Sequence, residues 1–189
     1  MEINVSNLRA AYAAADESGK TLLRNLFPDA DLNKDNRPVT DRIKTFEDAC
    51  QELGEEHPFV VAYRAVEDID ECSGDVEAYL KLRIIVAALN EGWTPELKEG
   101  ENLYYPWHWL YTQSEIDDMD EDERKERRMM QIGDYATEYA GFAYAASSDA
   151  PSNASAGVGF RLCLKSSELA SYCGKQFIGI WADFRLIRR

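Results

Sequence analysis

Only two histidines, at 57 and 108, could move protons near neutral pH in this chain. His57 precedes Pro58 at a helix start, and His108 lies inside an aromatic run. Neither has an obvious nucleophile or carboxylate partner. No nucleophile elbow, phosphate-binding loop or dinucleotide fingerprint is present. Cysteines stand at 50, 72, 163 and 173, without a Cys-x-x-Cys pair. A zinc site needs about four clustered ligands, so zinc is rejected and the thiols are expected to be reduced and mostly buried. Residues 29–35 place Asp29, Asp31, Asn33 and Asp35 like the start of a calcium loop. The sixth position is Lys34 and the twelfth is Thr40, where such a loop needs glycine and a bidentate glutamate. A solvated loop is the expectation, with no metal and no cofactor.

Three features remain for binding. The run Leu103–Tyr111 carries Tyr104, Tyr105, Trp107, Trp109 and Tyr111. Aromatic rings in a strand serve as core or stack on sugar or base rings, and alternate residues face opposite sides. The window 133–159 holds sixteen Gly, Ala or Ser among 27 residues, punctuated by Tyr135, Tyr139, Phe142 and Tyr144. It is either a tightly packed, turn-rich sheet or a recognition surface of rigid tyrosines among small polar neighbours. The third feature is the run from Glu115 to Glu126, with eight carboxylates including Glu115, Asp117, Asp118, Asp120, Glu121, Asp122 and Glu123. Arg124, Lys125, Arg127 and Arg128 overlap or follow it, as on a solvated helix face.

The elements positioning these residues are legible from spacing. Ser6 is placed as the cap of a first helix with Leu8, Ala11, Tyr12 and Ala15 on one face. A short second segment carries Leu22, Leu23 and Leu26. Thr40 is the expected cap of a helix through Ile43, Phe46, Cys50 and Leu53, closed by Gly54. Pro58 opens another, with Val61, Ala65 and Ile69 inward. Ser73 or Asp75 starts the strongest helix, which ends at Gly92. Ser114 and Asp120 look like capping-box starts. Short strands are expected near 141–146 and 158–164 around a loop at 147–153, and Ser166 or Ser167 caps one closing helix.

The expected fold is α+β. A helical N-terminal half, residues 1–92, packs on a small irregular antiparallel sheet within 93–189, and a C-terminal helix closes the structure. A single core shared by both parts is the alternative. With 189 residues the chain can bury a core without staples. Its 35 acidic and 21 basic residues give a net charge of −14, which disfavours direct nucleic-acid binding and an anionic membrane surface. The opening residues show no secretory signal, so a cytoplasmic location in a host cell, or a place in a virion, is expected.

Segments Tyr79–Trp93 with Tyr104–Trp109, Gly159–Phe177 and Thr40–Ala49 resemble uncharacterised proteins from gut Bacteroidota phages and mobile elements. A second likeness rests on the stretch from Gly133 to the closing Gly159-Phe160-Arg161-Leu162. It is similar to the last part of formylglycine-generating-enzyme-like C-type lectin domains, which typically open it with Arg-Gly-Gly-Ser-Trp. Here Ile132-Gly133-Asp134-Tyr135 stands at that place. That resemblance implies a lectin-like sheet and a ligand-facing surface of Tyr135, Thr137, Glu138, Tyr139, Tyr144, Ser147, Ser148, Asp149 and Asn153. The enzymes' catalytic cysteines are not recognisable, which implies binding rather than catalysis. Trp107 and Trp109 of the aromatic strand would flank the surface, with a protein or glycan as ligand. The alternative is an acidic effector that uses the 115–123 carboxylates as phosphate mimics against a basic host protein. A structural virion component is the third reading.

Overall fold

The computed structural model describes residues 5–28, 30, 32, 37–69, 74–96, 98, 100–151 and 160–189, with the backbone alone described at 5–7, 10 and 149–151. Cys72, Ser73, Asn153 and most of the calcium-like stretch lie outside them. The fold is α+β, with helices packed on a small three-stranded antiparallel sheet and a helix near the C-terminus. Two compact units divide at Arg42/Ile43, and residues 92–103 run inside the larger one.

The smaller unit holds α1 (Val5–Ala14), α2 (Glu17–Leu26) and the single turn α3 (Val39–Arg42). Helix α1 begins before Ser6, which therefore does not cap it. Asp16 caps α2 by accepting from Gly19 N at 2.8 Å, and Arg24 lies 5.2 Å over the ring of Tyr12. Leu8, Tyr12 and Leu32 form the buried cluster, with Leu23 and Phe27 against it. Leu22 and Leu26 stay exposed.

In the larger unit, α4 (Phe46–Leu53) is capped by Thr45 in a reciprocal pair with Asp48. The expected continuous helix from Thr40 is therefore broken, because a fresh cap at Thr45 restarts it. Pro58 opens α5 (Pro58–Arg64), and the His57 ring accepts from Phe59 N. The helix buries Val60 and Tyr63 and leaves Val61 outward, a correction of phase, and Ala65 and Ile69, beyond its end, are exposed as well. The ring of Tyr63 meets Phe46 edge-on at 4.8 Å, which fixes that phase. Helix α6 (Asp75–Leu89) is the centre, with Leu82, Ile84, Ile85, Ala88 and Leu89 fully buried. Apolar residues on most sides let it contact α4, α5 and the later helices together.

Strand β1 (Asn102–Tyr111) pairs antiparallel with β3 (Gly141–Pro151), and β3 pairs with the short β2 (Met130–Gln131). Their order is β1-β3-β2. Ala145 is skipped in the register between Trp107 and His108, which puts a bulge on β3. Between the strands lie α7 (Gln113–Asp118) and α8 (Glu121–Glu126). Thr112 and Glu115, rather than Ser114 and Asp117, form the capping box of α7, while Asp120 caps α8 as its spacing predicts. The expected loop from 147 is strand as far as Pro151. In place of a strand at 158–164, a 3-10 turn at Phe160–Leu162 leads to Leu164, which bridges to Tyr104. The single closing helix is two, α9 (Ser167–Gln176) and α10 (Ile178–Arg185), broken at Phe177.

Two contacts lock α6 and α9 in place. Asn90, at the end of α6, is 2% exposed. Its amide donates to Cys163 O at 3.0 Å and accepts from Lys165 N at 3.1 Å, tying α6 to the segment that bridges Tyr104. Gly174 lets α9 lie directly on the sheet. A Cβ there would stand 2.5 Å from Pro106 Cβ and 2.9 Å from the Tyr144 ring. Asn90→Ala strands the buried Cys163 carbonyl and the part-buried Lys165 N–H at once. It should lower stability by about 2–3 kcal/mol. A urea unfolding midpoint equal to that of the wild type would show the clamp to be dispensable.

Candidate functional site

β3 occupies one edge of β1, and the opposite edge is only partly used. Tyr104 exchanges both backbone hydrogen bonds with Leu164 there, at 3.1 and 2.7 Å. Backbone groups alternate between the two edges along a strand, so Pro106, His108 and Leu110 turn theirs the same way as Tyr104. The Arg185 guanidinium takes Pro106 O at 2.8 Å. Among the described residues, the backbone N–H and C=O of His108 and Leu110 have no partner.

A groove of about 730 Å³ follows this edge. Residues 105–110 line it in succession, with Arg185 beside Pro106 and with Thr112, Glu115 and Tyr139 toward the other end. Six consecutive residues of β1 thus border it, through side chains or backbone, and Arg185, bonded to Pro106 O on the open side, ties the groove to that edge. On the helix side, His108 stacks on Phe142 at 4.6 Å and tilts toward Trp181. On the other side stand Trp107 and Trp109, 46% and 53% exposed, and Tyr139 at 37% adds a third open ring.

The polar end of the groove is a relay. Helix α9 stops at Gln176, so the Gly174 carbonyl lies in its last turn, where helical partners run out. His108 Nε2 lies 3.0 Å from that carbonyl and must donate to it. His108 Nδ1 is then the acceptor for Arg185 Nη1 at 2.8 Å, so the ring is neutral. Burial, with the neighbouring Arg185 charge, pushes the His108 pKa down to about 4. Desolvation lowers Arg185 to about 10, although the residue as a whole keeps an exposed surface that screens part of the effect. Its guanidinium lies 4.7 Å over Trp181, and among the described residues it has no carboxylate partner. It remains a cation at neutral pH.

The residues expected at a ligand surface fall into distinct groups. Trp107, Trp109, Glu138 and Tyr139 are exposed. Tyr135 and Tyr144 are buried instead. The Tyr135 hydroxyl donates to Asp183 at 2.5 Å, and burial, then Asp183, push its pKa up to about 12. Tyr144 is buried, with its hydroxyl 2.7 Å from that of Ser171 and Lys175 over its ring. Thr137 is half-buried and accepts from Tyr139 N. Ser147 and Ser148 are half-buried strand residues, and Ser147 bonds Ser167. Asp149 sits in β3 opposite Tyr104, and Asn153 lies outside the described residues. Some small residues described in this window serve sheet packing. Gly141, where a Cβ would meet Ile116 at 2.6 Å, is an instance.

Much of the acidic run is engaged locally. Glu115 accepts from Thr112 N and Oγ1, Gln113 donates to Asp117, and Asp120 caps α8. Glu121 pairs with Lys125, and Glu123 pairs with Arg127. Asp118 and Asp122 are exposed. Burial raises the thiols of Cys50 and Cys163 to about 11 and that of Cys173 to about 12, so they stay protonated and inert. Among the described residues no three His, Cys, Asp or Glu side chains gather as metal ligands, and no helix is long and apolar enough to cross a membrane.

Arg185 and the free backbone edge escaped the sequence reading. A cation near the end of an amphipathic helix looks like an ordinary dipole partner, and an edge exists only once the strands pair. Comparison with protein-family models, curated proteins and solved structures finds no match.

An unfolded imidazole takes its proton near pH 6.5, whereas folded His108 resists it until about 4. Between those values the unfolded chain binds more protons, so stability is full above 6.5 and falls as the pH drops through 4. The loss should be on the order of 2 kcal/mol after screening at the half-buried ring. Urea unfolding at pH 7 and pH 4.5 measures it, and His108→Gln should flatten the difference. Equal losses in wild type and variant would exclude His108 as the source.

Proposed function

We propose that this is a binding protein of phage or mobile-element origin that takes a protein or glycan ligand along the β1 groove. One observation carries the reading. Trp107 and Trp109, two residues apart on the same side of β1, are about half exposed beside a groove of about 730 Å³. Indole rings bring large apolar area at low entropic cost, and exposed pairs of them mark interaction surfaces. The origin rests on the resemblance of the Tyr79–Trp93 and Gly159–Phe177 segments to phage and mobile-element proteins.

Binding rather than catalysis is favoured by the chemistry of the site. His108 has both ring nitrogens occupied, and the described thiols are buried. The reading of an acidic effector receives less support, since Glu115, Asp117, Asp120, Glu121 and Glu123 have partners within or beside α7 and α8.

Trp109→Ala truncates a ring that is about half exposed, so stability should fall by about 1–2 kcal/mol while the fold is kept. Ligand affinity should fall about thirty-fold, as for a central interface aromatic. The wild type and the variant are to be screened side by side on a glycan array and on a displayed peptide library, with thermal melts as the folding control. Ligands that bind both forms equally would place the binding surface elsewhere.

A further inference from the structure

We infer that the groove receives the C-terminal tail of a partner protein, which adds to the sheet as a strand antiparallel to β1 and delivers its α-carboxylate to Arg185. This rests on the β1 groove being the ligand site.

The backbone of the groove argues for strand addition. His108 and Leu110 offer two N–H donors and two C=O acceptors to the open side of β1, at the spacing of a ladder. A sugar has no reason to match that repeat, whereas an extended peptide matches it along its whole length. The ladder is also closed at one end. Leu164 already pairs with Tyr104, and the Arg185 guanidinium occupies Pro106 O between them. A chain entering from the Thr112 side must therefore stop at Arg185.

Charge then selects the direction. An antiparallel peptide ends at Arg185 with its carboxylate, while a parallel one would bring its amine there. Arg185 has only neutral acceptors among the described residues, Pro106 O and His108 Nδ1, so it welcomes the carboxylate and repels the amine. At the far end, Glu115 stands exposed. It suits a basic side chain about four residues upstream of the terminus, at ~3.3 Å per residue.

Register follows from this placement. The last residue lies opposite His108, donating its N–H to His108 O and accepting the His108 N–H on its carboxylate. The third residue from the end exchanges both bonds with Leu110. The penultimate side chain falls on the side of Trp107 and Trp109 and should be apolar or aromatic.

The full chain is to be panned against random ten-residue peptides displayed with free C-termini. The best binder is then synthesised in three forms: the free acid, the C-terminal amide, and the free acid N-methylated at the third residue from the end. Binding of the free acid with at least ten-fold loss in each of the other two is the expected result. Arg185→Gln should bring the free acid down to the level of the amide. Because Arg185 also holds His108, the comparison among peptides on the intact protein is decisive if that variant misfolds.

An amide as tight as the acid, or binding through an internal Asp or Glu, overturns the terminal assignment. Indifference to N-methylation overturns strand addition. If either result comes with loss on Trp109→Ala, the groove remains the ligand site and only this inference fails. Glycan binding without any free-acid peptide binder has the same meaning. A dimer that forms on concentration and is abolished by Leu110→Pro would assign the edge to a second copy instead. Failure of both peptides and glycans to bind overturns the groove reading as well.

Discussion

Helix α9 rests on the sheet at a distance only a glycine permits, and much of the site follows from that contact. With Gly174 against Pro106 and the Tyr144 ring, the helix backbone itself reaches the strand. The helix breaks three residues later, at Phe177, so the Gly174 carbonyl is left for His108. That bond sets the imidazole tautomer, and the tautomer turns an acceptor toward Arg185. The guanidinium then has a fixed place beside Pro106 rather than the freedom of a surface arginine. A side chain at 174 would lift α9 and undo the sequence of contacts from its first member.

The charges of the molecule divide along the same line. Arg64 is surrounded by Glu47, Glu55 and Glu67, and Arg127 and Lys125 pair with acids one turn away. Such pairs contribute little each in water, but they neutralise the cations that make them. Arg185 differs because its neighbours are a carbonyl, an imidazole and an indole. In a chain of net charge −14, a cation left among neutral groups is a local exception to the overall field.

The architecture was largely readable before the structure, and the reasons differ by element. Helix α6 announced itself through its length and its apolar faces, and Gly54 and Asp120 marked ends where backbone chemistry leaves little choice. The phase of α5 was not readable. Val60 and Val61 are equally apolar, and only the packing of Tyr63 against Phe46 decides between them. The break at Phe177 was hidden because the apolar spacing runs on through it to Phe184. Within the site, Trp107, Trp109 and Tyr139 could be nominated from ring chemistry and strand alternation. Tyr135 and Tyr144 have the same ring chemistry and lie inside, because Asp183 and Ser171 sit where their hydroxyls end. Those partners are 48 and 27 residues away, beyond any local pattern.

Pro106 gives the exposed edge of β1 one further property. Open sheet edges can template the growth of fibrils, and proteins guard against this by shortening or interrupting them. Proline brings no N–H to the ladder, and Arg185 covers its carbonyl. Beyond it Leu164 has already closed the edge at Tyr104. What stays open spans His108 and Leu110, too short a template for continuous cross-β stacking. The strand can thus keep a stretch of backbone exposed, in a sequence rich in aromatic residues, without becoming a seed for aggregation.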